Sequence, residues 1–196
     1  GVLEKVGEVS SNLGITHVEN RTEHDPDVLP YVFERDIDYI TVELPSGLKG
    51  AITLINTCIE ERLALLASLH FIVPKREKLT MKALNELNAQ IQQRIANRDP
   101  VAYSAASLYA ACMKLRHAIT LAESQGSEVL KGYLAKLVAE GTGSGGSKAS
   151  QGLVKDPAFH ELFERSLAWT HEFHPKPGIT LTLVREQLES HPDSRI

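Results

Sequence analysis

The apolar positions of this chain follow two different periods. Val2, Leu3, Val6, Val9 and Leu13 recur at helical spacing, and Gly14 stands where a helix stop is expected. Ile15 to Arg21 then reads as a short strand, and Asp25-Pro26-Asp27 with Pro30 punctuates a turn. Ile37 to Leu44 alternates as a second strand, with Ile37, Tyr39, Thr41 and Glu43 on one face and Asp38, Ile40, Val42 and Leu44 on the other.

After Pro45 the helical period takes over. Ser46 is placed to cap a helix reaching about Phe71, with Leu48, Ile52, Ile55, Ile59, Leu63 and Leu66 in one stripe and Pro74 as the breaker. Thr80 caps a second helix carrying Leu84, Leu87, Ile91 and Ile95. Asp99-Pro100 ends that helix and opens a third, in which Val101, Ala105, Leu108, Cys112, Leu115, Ile119 and Ala122 alternate four and three apart up to Gly126. That repeat predicts a seam along a neighbouring helix at a shallow angle, and its alanines allow close approach. Ser127 caps a fourth helix through Val129, Leu130, Leu134, Leu137 and Val138. Gly141 to Ser147, GTGSGGS, reads as a flexible linker. Asp156-Pro157 caps a fifth helix bearing Phe159, Leu162, Phe163 and Leu167. Pro175, Pro177 and Gly178 mark a further joint, and a last amphipathic helix from about Thr180 to Glu189 uses Leu181, Val184 and Leu188. Residues 193–196 look like the first step into another strand. The expected fold is mainly α: an antiparallel helical bundle with a small α/β remnant at the N-terminus.

Composition adds bounds. At 196 residues the chain has room for one ordinary domain with trimmings, and 42% hydrophobic residues supply a core. The net charge of −4 excludes a uniformly basic nucleic-acid binder. No apolar run is long enough to span a bilayer and no secretory pattern opens the chain, so a cytoplasmic protein is expected. Cys58 and Cys112 lie far apart with no partner at ligand spacing and are expected to be reduced core residues. The average hides an asymmetry. Residues 1–44 carry 3 basic and 10 acidic side chains, while residues 45–172 carry 15 basic and 12 acidic ones. A charge shift that coincides with a change of period marks a domain boundary.

Candidate chemistry is sparse. There is no G-x-x-x-x-G-K-[ST] loop, since GTGSGG lacks the lysine and follows no strand, and no serine sits in a nucleophile elbow. His160, His171 and His174 lack a carboxylate or cysteine at matching spacing, so no metal site is expected. Glu60 and Glu61 point in different directions from one helix. Nothing here resembles an autonomous enzyme. The suggestive feature is basic: Lys75, Arg76, Lys78 and Lys82 cluster between the first two long helices, and Lys148 and Lys155 flank the glycine run. Between Lys75 and Lys148 there are 11 basic and 6 acidic residues. Such a set suits phosphate contacts, which act through charge and carry no base sequence information. Lysines and arginines on helices are also the ordinary solvated face. A structural or protein-interaction module, with the heptad helix facing the bundle or a partner, is therefore the competing reading.

Several runs carry a resemblance. Glu8-Val9, Asn12-Leu13-Gly14-Ile15, His17-Val18-Glu19, Arg21-Thr22-Glu23, Asp25-Pro26-Asp27-Val28, Tyr31-Val32 and the strand Ile37 to Pro45 resemble the stretch after motif III in archaeal Hef-type helicases, relatives of FANCM. Lys114-Leu115-Arg116-His117-Ala118, Glu123-Ser124-Gln125-Gly126 and Gly146-Ser147-Lys148-Ala149 continue it. His174-Pro175-Lys176, Arg185-Glu186-Gln187-Leu188 and Pro192 to Ile196 look like the approach to motif IV. The resemblance implies superfamily 2 architecture, with a thumb-like helical insert between two RecA-like domains. Residues 1–44 would be the edge of the first RecA-like domain, 45–172 the insert, and 173–196 the first helix of the second. It implies a module that helps recognise forked or branched DNA, with RecA-like domains as partners in cis and a nucleoid-associated place in the cell. ATP and Mg would be bound by the parent protein, with no cofactor in this stretch. The expected nucleic-acid contacts are Lys75, Arg76, Lys78, Lys82, Lys148 and Lys155.

Overall fold

Regular structure in the computed structural model, which describes residues 2–32, 37–75, 78–170 and 174–196, is helical throughout. The helices are α1 (Val2–Asn12), α2 (Ser46–Ser68), α3 (Met81–Ala96), α4 (Pro100–Ser124), α5 (Ser127–Thr142), α6 (Lys148–Val154), α7 (Pro157–Leu167) and α8 (Lys176–Ser190), with one 3-10 turn at Leu29–Tyr31. The chain divides into two compact units, Gly1–Thr41 and Val42–Ile196.

In the first unit α1 ends as its sequence predicts. Gly14 takes a positive φ of 66° and Ile15 N–H returns to Ser10 O at 2.8 Å. The acidic turn also forms: the Asp25 carboxylate accepts from the amide and hydroxyl of Thr22, and Arg21 Nε reaches Asp27 at 2.8 Å. The two expected strands do not form. Neither Ile15 to Arg21 nor Ile37 to Leu44 is paired as a strand, and no described residue of this unit is buried. A strand needs a neighbour to take its backbone hydrogen bonds, and alternation of side chains does not supply one.

The second unit is a packed helical bundle. The expected stripe of α2 is buried at Leu48, Ile55, Ile59, Leu63 and Leu66, while Ile52 is half-buried. α3 buries Leu84, Leu87 and Ile91, and α5 buries Leu130, Leu134 and Leu137. Thr80, Asp99 and Asp156 each accept a backbone N–H of the helix they open, as expected, but Ser46 and Ser127 are the first residues of α2 and α5, and the cap positions there fall on Pro45 and Gly126, which have no side-chain acceptor for the bond. α2 stops at Ser68, three residues before the expected end. His70 N–H bonds Ala67 O and Phe71 N–H bonds Leu66 O, a Schellman turn with His70 at φ 62°. α3 ends the same way, with Arg98 at φ 58°.

Three expectations about the bundle are corrected. The heptad stripe of α4 is only half right: Ala105, Cys112, Leu115 and Ala122 are buried, but Val101 is exposed and Leu108 and Ile119 are half-buried. Ala102, Ala111 and Ala118 are buried as well. α4 touches α2, α3, α5 and α6, so it is covered on several sides and its alanines serve a second face. Second, Lys148–Val154 forms a helix, α6, capped by Ser147, where none was predicted. Third, GTGSGGS is no flexible linker. α5 runs through Thr142, and a Cβ on Gly141 would lie 2.5 Å from Ser150 O, while one on Gly146 would lie 1.7 Å from Glu140 O. These glycines permit close approach of α5 to α6.

A buried ion pair ties chain segments far apart in sequence. Arg62 of α2 donates to Asp156 at 2.5 Å, to Cys58 O at 2.7 Å and to Gly152 O at 3.4 Å. Asp156 meanwhile accepts from Ala158 and Phe159 N–H as the cap of α7. No buried side-chain polar atom among the described residues lacks a partner. At one end of the bundle, Ser46, Gly47, Gly50 and Ala51 of α2 share a cleft of about 110 Å³ with Leu162, Arg165 and Trp169.

Candidate nucleic-acid interface

The cations of the bundle fall into two sets. One set is engaged in holding the fold. Arg94 donates to Leu69 O at 3.0 Å and His70 O at 2.6 Å, with its guanidinium 4.1 Å above the Phe71 ring. Arg116 reaches Leu79 O at 2.6 Å, Lys131 reaches Trp169 O at 2.8 Å, and Lys114 pairs with Glu140 at 2.7 Å. The other set is exposed and, among the described residues, makes no ion pair or side-chain hydrogen bond: it holds the five expected contacts Lys75, Lys78, Lys82, Lys148 and Lys155, and with them Arg98 and Lys136. Arg76, the sixth expected contact, lies outside the described residues.

The five lysines occupy two places, not one patch. Lys148 and Lys155, at the two ends of α6, line a groove of about 490 Å³ with Glu61, Arg62, Tyr103, Ser107 and other residues of α2 and α4. Lys75 lines a shallower groove of about 260 Å³ with Glu60, Leu63, Ala64 and Ala67. On a helix with 3.6 residues per turn, positions 61, 62 and 65 project from one side and 60, 63, 64 and 67 from the other. The two grooves therefore flank α2. Lys78 follows Lys75, its amide bonded to Lys75 O at 2.9 Å, and Lys82 sits in the first turn of α3.

Sequence reasoning missed the α4 wall of the larger groove. Tyr103, Ser104 and Ser107 line it beside Lys148 and Lys155. A signal was present: these positions share one outer side of α4 and carry hydroxyls. Its meaning depended on α6, which the sequence reading did not contain.

The perturbed carboxylates and thiols all belong to the fold. Glu140 is held down at about 2 by hydrogen bonds from Lys114 and Ser147, with Lys114's charge adding to them. Burial pushes the Asp156 carboxyl up, but the Arg62 hydrogen bond, the Arg62 charge and the amides of Phe159 and Ala158 outweigh it and leave it below its ordinary value. Burial raises the thiols of Cys58 to about 12 and Cys112 to about 11; both are free and buried, as core residues. His174 is buried: Nδ1 accepts the Lys176 amide at 3.2 Å, leaving Nε2 to donate to Glu123 O at 3.2 Å. His171 lies outside the described residues, and no cluster of three metal-ligating side chains occurs among the described ones. No described helix is long and apolar enough to cross a membrane.

Residues 48–170 match the family described as "Putative ATP-dependent RNA helicase, helical bundle", and the chain belongs to it. Over 194 residues it is 34% identical to the "Putative ATP-dependent RNA helicase MJ1505" of Methanocaldococcus jannaschii, covering 99% of this chain and 24% of that protein. It is 28% identical over 175 residues to the ATP-dependent DNA helicase mph1 of Neurospora crassa, covering 85% of this chain and 15% of that one. The crystal structure of the Pyrococcus furiosus Hef helicase domain superposes with a TM-score of 0.71 at 29% identity, over 98% of this chain and 40% of that one. The chain thus carries the helical bundle of this helicase family over residues 48–170, is similar to the Hef and mph1 helicases, and spans a quarter or less of the length of the curated relatives it matches.

Proposed function

We propose that the bundle is a DNA-binding insert, which grips forked or branched DNA by its backbone while RecA-like domains in cis supply ATP-driven motion. The observation that carries this reading is the division among the cations. Arg62, Arg94, Lys114, Arg116 and Lys131 are engaged by carboxylates or carbonyls, whereas Lys75, Lys78, Lys82, Lys148 and Lys155 are exposed and unengaged among the described residues. Ammonium groups without internal partners are free to displace counterions from phosphates, and their flexible stems need no fixed register. The relatives' names point both ways, RNA helicase in Methanocaldococcus jannaschii and DNA helicase in Neurospora crassa, and the reading sides with DNA, which the duplex RNA arm of the test checks.

In this reading residues 1–44 are the edge of the first RecA-like domain and 173–196 begin the second, with ATP and Mg bound by those domains and not by the bundle. The exposed alternating side chains of Ile37 to Ile40 are then strand faces awaiting a sheet. The protein works in the cytoplasm on the nucleoid. Fluorescence anisotropy with forked DNA, linear duplex DNA and duplex RNA across a salt series tests the proposal. Affinity for forked DNA should fall steeply with salt. The fivefold variant K75A/K78A/K82A/K148A/K155A should flatten the slope of log affinity against log salt by up to about 4.5, about 0.9 for each lysine removed. No binding at low salt, tighter binding to duplex RNA than to forked DNA, or an unchanged slope in the variant would overturn it.

A further inference from the structure

The connection from α2 to α3 is built more firmly than a connector requires. Gln90 of α3 clamps the backbone of Ile72 on both sides: Ile72 N–H donates to Gln90 Oε1 at 3.0 Å, and Gln90 Nε2 donates to Ile72 O at 3.1 Å. This pair of hydrogen bonds copies one rung of a sheet ladder with a side-chain amide. One turn further along α3, Arg94 holds the carbonyls of Leu69 and His70 and stacks on Phe71. Phe71 is buried, Val73 packs against the core, and Val73 and Pro74 line the shallower groove with Leu63, Ala64 and Ala67 of α2. Between these anchors the Ile72 side chain stands 81% exposed.

An isoleucine held out in water on a fixed backbone is costly to hydrate and cheap to bury, because no loop entropy remains to be lost. What it faces is set by its neighbours. Lys75 follows three residues on, within about 11 Å along the chain. Lys78 is tied to it by a backbone bond, and neither ammonium has a partner among the described residues. The matching ligand offers anionic groups beside an apolar face. A duplex end at a branch point offers both, phosphates at its rim and an exposed base pair across its top, and apolar wedges of this size unstack or cover base steps.

We infer that Ile72 is a pre-set wedge that covers the terminal base pair at a DNA junction, with Lys75 and Lys78 on the adjoining phosphates. The inference rests on the DNA-binding reading above and assigns the junction contact within it. Gln90 and Arg94 act as positioning residues.

The test uses a forked DNA with 2-aminopurine at the first paired position beside the junction and a matched linear duplex with internal 2-aminopurine. Wild-type protein should change the fluorescence of the fork and not of the linear duplex. Ile72→Ala should lower the fork-to-linear affinity ratio by about fivefold and abolish the fluorescence change, with the salt slope and thermal midpoint unchanged. Ile72→Leu should restore both, and Gln90→Ala should reproduce the loss with Ile72 still present. If wild-type protein binds forked DNA but I72A keeps its ratio and fluorescence change, the wedge is wrong and the DNA reading stands. If wild type binds no DNA, the underlying reading fails first. An I72A variant that loses a dimer while keeping its fork preference would assign the residue to a second copy of the chain and overturn the inference.

Discussion

The two units of this chain are built from similar apolar content and reach opposite outcomes. In Val42–Ile196 the leucines and isoleucines of α2 to α7 vanish into a continuous core. In Gly1–Thr41 residues of the same kind, such as Val18 and Ile37, stay in water, and Tyr39 is 89% exposed. The difference lies in the hydrogen bonds. A helix satisfies its own backbone and then needs only a neighbour for one face, which the next helix supplies. An extended segment needs a partner for its backbone before its faces matter, and within the described residues none is paired. Helical modules can therefore fold from local sequence, whereas an extended segment cannot satisfy its own backbone.

The sharpest way to break this contrast is to remove the buried carboxylate of the bundle. Asp156→Ala strands Arg62 in the interior and uncaps α7, and it should cost about 3–5 kcal/mol in urea denaturation. Tyr39→Ala in the other unit should change the same curve by less than about 0.5 kcal/mol. Comparable losses from the two changes would show that the first unit carries packing of its own. Gly146→Ala drives a methyl group onto the Glu140 carbonyl and should lower stability by about 1–3 kcal/mol. An unaffected thermal midpoint would mean that the α5–α6 turn is as loose as its composition implies. The smallest effect is with acid. Glu140 and Asp156 both have folded pKa values below their ordinary ones, so their contribution is complete above about pH 4.5 and is lost as pH falls toward about 2. The fall in thermal midpoint between pH 5 and pH 2 should be shallower in Glu140→Gln than in wild type. An identical fall would show that the Lys114–Glu140 contact contributes nothing in solution.

Much of the bundle was legible in the residues. Thr80, Asp99 and Asp156 announced helix starts because a side-chain oxygen must accept the first amides, and each does so. Gly14 and Gly126 announced stops through positive φ. The ends at His70 and Arg98 were hidden, since neither residue type advertises the left-handed conformation that it adopts. α6 was hidden for a related reason: glycine-rich composition was read as freedom, where Gly141 and Gly146 are required because two backbones nearly touch. The candidate interface was legible as a list of lysines but not as places. Linear charge counts place Lys148 with Lys75, whereas the turn of α2 puts their grooves on opposite flanks.

The cleft shared by the first turns of α2 and the end of α7 has a mechanical consequence. Beside it Lys131 of α5 fastens the Trp169 carbonyl, and further along the chain His174 and Lys176 both hold Glu123 O of α4. A load applied at this end of the bundle is therefore shared among α2, α4, α5 and α7 and not borne by a single contact.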